Sequence, residues 1–257
     1  MLNFRNTTIF FVVLLFILIG VHIQYGVPVY IYPLLLIVYS LIVFYGCYYV
    51  GSNFFIKIVC EAKTDKKEIA ISFDDGPGKN YTPEILQILN SENIQAAFFC
   101  IGNRIAGNED IVRQIKEAGH IIGNHSFSHH FWFDLYSAKK MQADLVQMDE
   151  AMQAVTGLKP KLFRPPYGVT NPNVKKAIIN GGYTPVGWSV RSMDTVIKDE
   201  NKLLKKINTA IKPGAVFLFH DTSKTTVGVL PKFMQEVKKR GYHIVPLDKL
   251  LALTAYA

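Results

Sequence analysis

The chain has 257 residues, 28 Lys and Arg against 20 Asp and Glu, and a formal charge of +8. Its charges are unevenly spread: no Asp, Glu, Lys or Arg occurs from Asn6 to Ile56, so an ordinary soluble surface is excluded for that stretch. No Lys/Arg block with interleaved aromatics occurs anywhere, which argues against nucleic acid as a partner.

About 20 helical residues cross a bilayer core of about 30 Å, so the uncharged stretch suffices for two crossings. It divides into helices expected over 7–25 and 29–50. Between them, His22, Gln24, Gly26 and Pro28 supply a short interfacial turn, and several tyrosines suit the headgroup zones. Arg5 before an apolar run also fits a signal peptide, but no small-residue cleavage site follows and a second apolar segment comes at once. Residues 1–60 therefore read as an uncleaved membrane anchor, meeting lipid through residues 7–56, and residues 61–257 as one globular domain. That domain carries +6, because Arg5 and Lys57 are the only formal charges before it. Such a balance suits an anionic neighbour. Cys60 and Cys100 leave a disulfide open if the domain faces an oxidising compartment.

From Glu68 onward, short apolar runs alternate with amphipathic ones. Strands are expected over 68–74, 95–101, 119–124, 161–164, 184–190, 215–220 and 242–246. Helices are expected over 82–91, 108–118, 137–156, 172–181, 200–211 and 226–240. In the longest, Met141, Leu145, Met148, Met152 and Val155 recur at helical spacing and read as core. Seven strands in β-α alternation, with no G-x-G-x-x-G after the first, predict an α/β fold: a distorted (β/α)7 barrel preceded by two transmembrane helices.

Functional side chains in such barrels gather at the C-terminal ends of strands. The first strand runs into Asp74-Asp75 and Gly76-Pro77-Gly78; the bland reading is a polar turn, the sharper one a pair of carboxylates on a rigid platform. The third is followed by "GNHSFSHH", where His125 and His129 are spaced as on one face of a helical turn. With one Asp they would give a catalytic-type metal site with open positions. The fourth ends in "LFRPPYG", which alone reads as a rigid turn with Arg164 at the surface. The fifth leads to "VGWSVRSMDT" and the sixth ends in His220-Asp221.

"FDDGP", "HSFSH", "RPPY" and "LFH" stand in the order and spacing of polysaccharide deacetylases, and residues 67–250 resemble that fourth carbohydrate-esterase family with its nodulation-type deacetylase domain. The resemblance implies that Asp74 is the catalytic base and that Arg164 holds it. It implies Asp75, His125 and His129 as ligands of a divalent metal, usually zinc and in some members cobalt or nickel. Tyr167 would offer a backbone N–H to the oxyanion, His220 would be the general acid with Asp194 as its carboxylate, and Leu218 would line the acetyl pocket. His130 matches no motif position. The family's fourth motif has two Asp residues followed by Trp; here Arg191, Asp194 and Thr195 stand in their places, so only the second carboxylate is kept.

The reading that follows is a membrane-anchored, metal-dependent N-deacetylase of N-acetylglucosamine-containing polysaccharide, foremost peptidoglycan, with its catalytic domain outside the cytoplasmic membrane and no obligate protein partner. Chitin oligomers, an exopolysaccharide or O-acetylated xylan would use the same residues. A small-molecule amidohydrolase ranks lower, and a silent glycan-binding membrane protein is the reading from another class.

Overall fold

The computed structural model describes residues 2–257. Two helices come first, α1 (Phe4–Tyr25) and α2 (Ile31–Tyr48), within three residues of the expected limits. Asn3 caps the first by accepting from the Asn6 N–H. They meet along a narrow seam, where Thr8 Oγ1 and Tyr39 Oη lie 2.9 Å apart and the rings of Phe11 and Tyr39 stand 5.2 Å apart. Most other large side chains on both, Phe10, Phe16, Leu36 and Phe44 among them, face outward. Both helices are long and apolar enough to cross a membrane.

The remainder is the expected α/β barrel. Its strands are β1 (Glu68–Asp74), β2 (Ala97–Cys100), β3 (Ile121–Asn124), β4 (Leu162–Phe163), β5 (Thr184–Pro185), β6 (Val190–Arg191), β7 (Val216–His220) and β8 (His243–Ile244). All pairings are parallel, in the order β5-β4-β3-β2-β1-β7-β6, with β8 joined to the lower end of β1. Helices α3 (Thr82–Ser91), α4 (Glu109–Glu117), α5 (Ala138–Thr156), α6 (Pro172–Gly181), α7 (Glu200–Thr209) and α8 (Lys224–Lys239) alternate with the strands. A short α9 (Leu247–Leu251), not foreseen from the sequence, closes the chain.

The two-residue period of the strands sorts the core. Ile69, Ile71 and Phe73 of β1, Phe98 of β2 and Phe217 and Phe219 of β7 face outward against Leu89, Met148, Met152, Leu203 and Phe233 of the helices. Ala70, Phe99, Leu162, Val186 and Val216 face inward, and Leu247 and Leu250 of α9 plug the barrel beneath them. The methionines of α5 are all buried, as a core stripe requires.

One expected strand is broken. Residues 184–190 do not run through; the chain leaves the sheet after Pro185 and rejoins it at Val190, and β5 and β6 are not neighbours. The cause lies in the hydrogen bonds. Arg164 donates to the carbonyl oxygens of Val186 (3.3 Å) and Gly187 (2.8 Å), so these acceptors serve a side chain instead of a ladder. The segment after α2 fills the gap: Val59 pairs with Val186 and Glu61 with Ala215, while Phe54, Phe55 and Ile58 are buried. Cys60 and Cys100 are free thiols, so the disulfide left open by the sequence is not formed.

Because this strap supplies backbone partners to both sides of the gap, a chain begun at residue 61 should unfold at lower urea concentration than one begun at residue 50, its stability being smaller by about 1–3 kcal/mol. Equal midpoints would show that the strap adds nothing to the barrel.

Candidate active site

Arg164 follows β4 directly and is completely buried. Proline on its C-terminal side keeps it extended, and its N–H is donated to the Asn124 carbonyl. Inside the barrel its guanidinium bonds Ser72 Oγ at 2.9 Å and Asp74 Oδ1 at 2.7 Å, besides the two carbonyls of the broken strand. The Phe99 ring lies beneath it at 3.9 Å. Burial lowers its pKa, against the opposing pull of the Asp74 charge. Read alone, Arg164 belonged to a surface turn; it is instead the hub of the barrel's mouth.

Asp74 ends β1, with its side chain on the inner face, whereas Asp75 takes a left-handed φ of 78° that turns it away. Asp74 Oδ1 thus meets Arg164 and its Oδ2 lies 3.8 Å from His125 Nε2, whereas Asp75 reaches both His125 and His129. Asp75 Oδ1 lies 3.6 Å from His125 Nε2 and 3.5 Å from His129 Nε2, and the three side chains offer ligand atoms all within 4.8 Å of one another. Burial works against the Asp75 charge, yet His125, His220 and His129 hold its carboxyl well below the usual range.

The two histidines do not sit on a helical turn. Residues 125–130 form a loop with positive φ at Ser126 (66°) and His129 (42°). Polar side chains outcompete the helix there. Asn124 Oδ1 accepts from Ser126 N, Asp144 Oδ1 from Phe127 N, and Ser126 Oγ from His129 N. His125 Nδ1 stands 2.8 Å from the Arg164 carbonyl oxygen, which fixes the ring and leaves Nε2 facing Asp75. Burial, with help from His125, lowers the His129 pKa to about 4, whereas at His125 burial is outweighed by the Asp74 and Asp75 charges, which raise its pKa. Three convergent N and O donors, one of them a ring held in place by the Arg164 carbonyl, fit a divalent cation.

Across the mouth, His220 ends β7 and pairs through Nδ1 with Asp194 Oδ1 at 2.7 Å. Asp194 is fully buried and also accepts from His220 N and Thr226 Oγ1. Burial disfavours the charge on each, but each partner outweighs it: His220 is raised and Asp194 lowered. Two residues below His220 on the same face, Leu218 lies buried. Tyr167 is held at φ 59°, and its N–H makes no hydrogen bond within the described chain, while its ring stands edge-on to His129 at 4.8 Å. His130 is exposed and outside the cluster.

Motif reading alone missed several supporting groups. Ser72 holds Arg164, and Thr226 and Ser223 hold Asp194 through its side chain and carbonyl. Asp221 is buried beneath the loop, where its Oδ2 accepts from Thr82 and a Cβ added at Gly76 would come within 1.9 Å of that oxygen. Glycine is therefore required at 76 by close approach. Burial, reinforced by the Asp75 and Asp74 charges, pushes Asp221 up to about 7. Its only sequence signal is its place immediately after His220.

A barrel whose strand ends bring a buried Arg–Asp pair, an Asp-His-His cluster and a His–Asp pair to one mouth matches known proteins closely. The polysaccharide deacetylase family model matches residues 61–186. Over 202 residues the chain is 33% identical to the peptidoglycan-N-acetylglucosamine deacetylase PgdA of Listeria monocytogenes, covering 79% of this chain but only 42% of that one, so it spans about two fifths of that relative. Over 216 residues it is 32% identical to the peptidoglycan-N-acetylmuramic acid deacetylase PdaA of Bacillus subtilis, covering 82% of this chain and 78% of that one. The crystal structure of a peptidoglycan N-acetylglucosamine deacetylase superposes with a TM-score of 0.73 at 27% identity, covering 78% of this chain and 95% of that one. The chain belongs to the polysaccharide deacetylase family.

Removing Asp74 would leave a guanidinium charge buried and unpaired. Asp74→Ala should therefore cost roughly 3–5 kcal/mol in chemical denaturation, and Asp74→Asn, which keeps an acceptor for Arg164, clearly less. Equal costs for the two variants would show that the pair is not what stabilises the mouth.

Proposed function

We propose that the protein is a membrane-anchored, metal-dependent hydrolase that removes N-acetyl groups from N-acetylglucosamine-containing glycan, foremost peptidoglycan. The single observation behind this is the presence at one barrel mouth of separate groups for a base, a metal and an acid.

Asp75, His125 and His129 would hold the cation, zinc in the first instance. When bound, a divalent cation lowers the pKa of water from about 15.7 towards about 7 and polarises a carbonyl. Asp74 accepts the attacking water's proton, and Arg164 keeps its carboxylate aimed into the mouth. The free Tyr167 N–H donates to the developing oxyanion, a kind of contact worth about 3–4 kcal/mol. Leu218 lines the space for the acetyl methyl. His220, oriented through Nδ1 by Asp194, gives its proton to the departing amine. An amine is a poor leaving group without that proton, which is why a raised histidine pKa is useful here.

The anchor reading rests on α1 and α2, whose outward apolar side chains suit lipid; the expected lipid contact over 7–56 is thereby shortened, because Val50, Phe54 and Phe55 past α2 are buried. Catalysis on cell-wall glycan requires the barrel, and with two crossings the N-terminus as well, on the outer side of the cytoplasmic membrane.

Acetate release by the full chain from N-acetylglucosamine oligomers and peptidoglycan should vanish with chelator and return with zinc. Release that is indifferent to chelator would refute the metal's part, and release only from O-acetylated xylan would turn the reading to an esterase. The acid's pKa sets the alkaline limb of the rate profile. Because His220 is raised, its proton persists above its usual value near 6.5, and activity should fall only on the far side of that pH. Asp194→Asn should move this limb to lower pH, and an unmoved limb would sink the assignment of His220.

A further inference from the structure

Arg191 is the last residue of β6, paired in register with Leu218 of β7. Paired residues of neighbouring strands point to the same face. The preceding residue, Val190, packs outward with Phe217, so Arg191 projects on the inner side with Leu218 and His220. Unlike them it is exposed, at the rim of the mouth.

Three features set this cation apart from an ordinary surface arginine. No carboxylate lies within ion-pair distance of it among the described residues, unlike Arg113 and Arg240, and, unlike the equally unpaired Arg104, its guanidinium is not taken up by a backbone carbonyl. Asp194, the acid nearest in sequence, is fully buried and engaged by His220, Thr226 and the Thr195 N–H. Secondly, the guanidinium lies over the Trp188 ring at 5.9 Å, and Arg164 approaches the same ring at 5.8 Å. One indole thus joins the rim cation to the arginine that holds Asp74. Thirdly, a second cation stands behind it: Lys206 Nζ donates to the Arg191 carbonyl oxygen. An exposed, unpaired, ring-supported guanidinium offers a planar fork suited to a carboxylate.

We propose that Arg191 forms a carboxylate-recognising subsite at the mouth of the active site, so that the preferred glycan carries an acidic substituent on or beside the sugar that loses its acetyl group. This rests on the deacetylase reading and narrows its substrate to an anionic glycan. The lactyl ether of N-acetylmuramic acid is such a substituent, and a neutral chitin chain has none. Arg191 is a specificity residue here; the proton transfers remain with Asp74 and His220.

The test uses oligosaccharides alternating N-acetylglucosamine and N-acetylmuramic acid, and the same oligosaccharides with the lactyl carboxylates methyl-esterified, which removes charge and keeps the sugar. Binding to the full chain carrying Asp74→Asn, measured by calorimetry, should favour the free acid by roughly fivefold. Adding Arg191→Met should abolish the preference, and Arg191→Lys should restore part of it. In parallel, Arg191→Met in the otherwise native chain should raise KM for the acid form by a similar factor while leaving kcat, and KM for chitin oligomers, nearly unchanged. Equal affinity for acid and ester, or a preference that survives Arg191→Met, overturns the subsite. Should the Asp74→Asn chain not fold, the KM comparison decides alone. A binding preference without acetate release from any glycan would leave the subsite standing and defeat the deacetylase reading instead.

Discussion

The mouth of the barrel depends on one buried guanidinium. Burying a charge is tolerable only when it is paired and its hydrogen-bonding groups are satisfied, and Arg164 meets that demand by drawing in Asp74, Ser72 and two carbonyls from a neighbouring chain segment. Each demand shapes something else. The Asp74 bond orients the side chain that ends β1. The two carbonyl bonds split one strand into β5 and β6 and open the sheet between them, and the strap after α2 fills that opening. The Arg164 carbonyl oxygen in turn accepts from the His125 ring at Nδ1 and so sets where Nε2 points. The aim of Asp74, the setting of His125 and the sheet distortion thus share a single origin.

Backbone strain is concentrated around the same centre. Among the described residues eight non-glycines adopt positive φ, and five of them, Asp75, Ser126, His129, Tyr167 and Met193, lie in the loops that form the mouth. Such conformations cost about 1–3 kcal/mol each and persist only where surroundings enforce them. Here the enforcing groups are visible: Asp144 and Asn124 for the histidine loop, consecutive prolines for Tyr167, and the His220 and Thr226 bonds of Asp194 beside Met193. The unused N–H of Tyr167 is a direct product of that strain.

Much of this was legible in the sequence. Regular periodicity located the elements, and α3 and α6 fall on the expected residues because proline near each start and a helical apolar stripe define them locally. Long uncharged runs likewise gave α1 and α2 to within three residues. The rule that functional groups stand at strand ends picked out the residues that the fold brings together. What failed had non-local causes. No pattern within 184–190 reveals that Arg164 takes its carbonyls, and no i, i+4 spacing reveals that Asp144 and Asn124 bend the histidine segment out of a helix. Arg164 looked like a surface cation because burial depends on partners elsewhere in the chain, and Asp221 gave no signal beyond its neighbour His220. The short α9 has too few residues to show a period.

The central claim is that two adjacent carboxylates divide the chemistry, Asp75 serving the metal and Asp74 the proton. Metal content and acetate release measured together on the Asp74→Asn and Asp75→Asn chains test this most directly. Asp74→Asn should keep about one bound divalent ion per chain and release no acetate, whereas Asp75→Asn should lose both ion and activity. Stoichiometric metal in Asp75→Asn, or undiminished acetate release by Asp74→Asn, would contradict it.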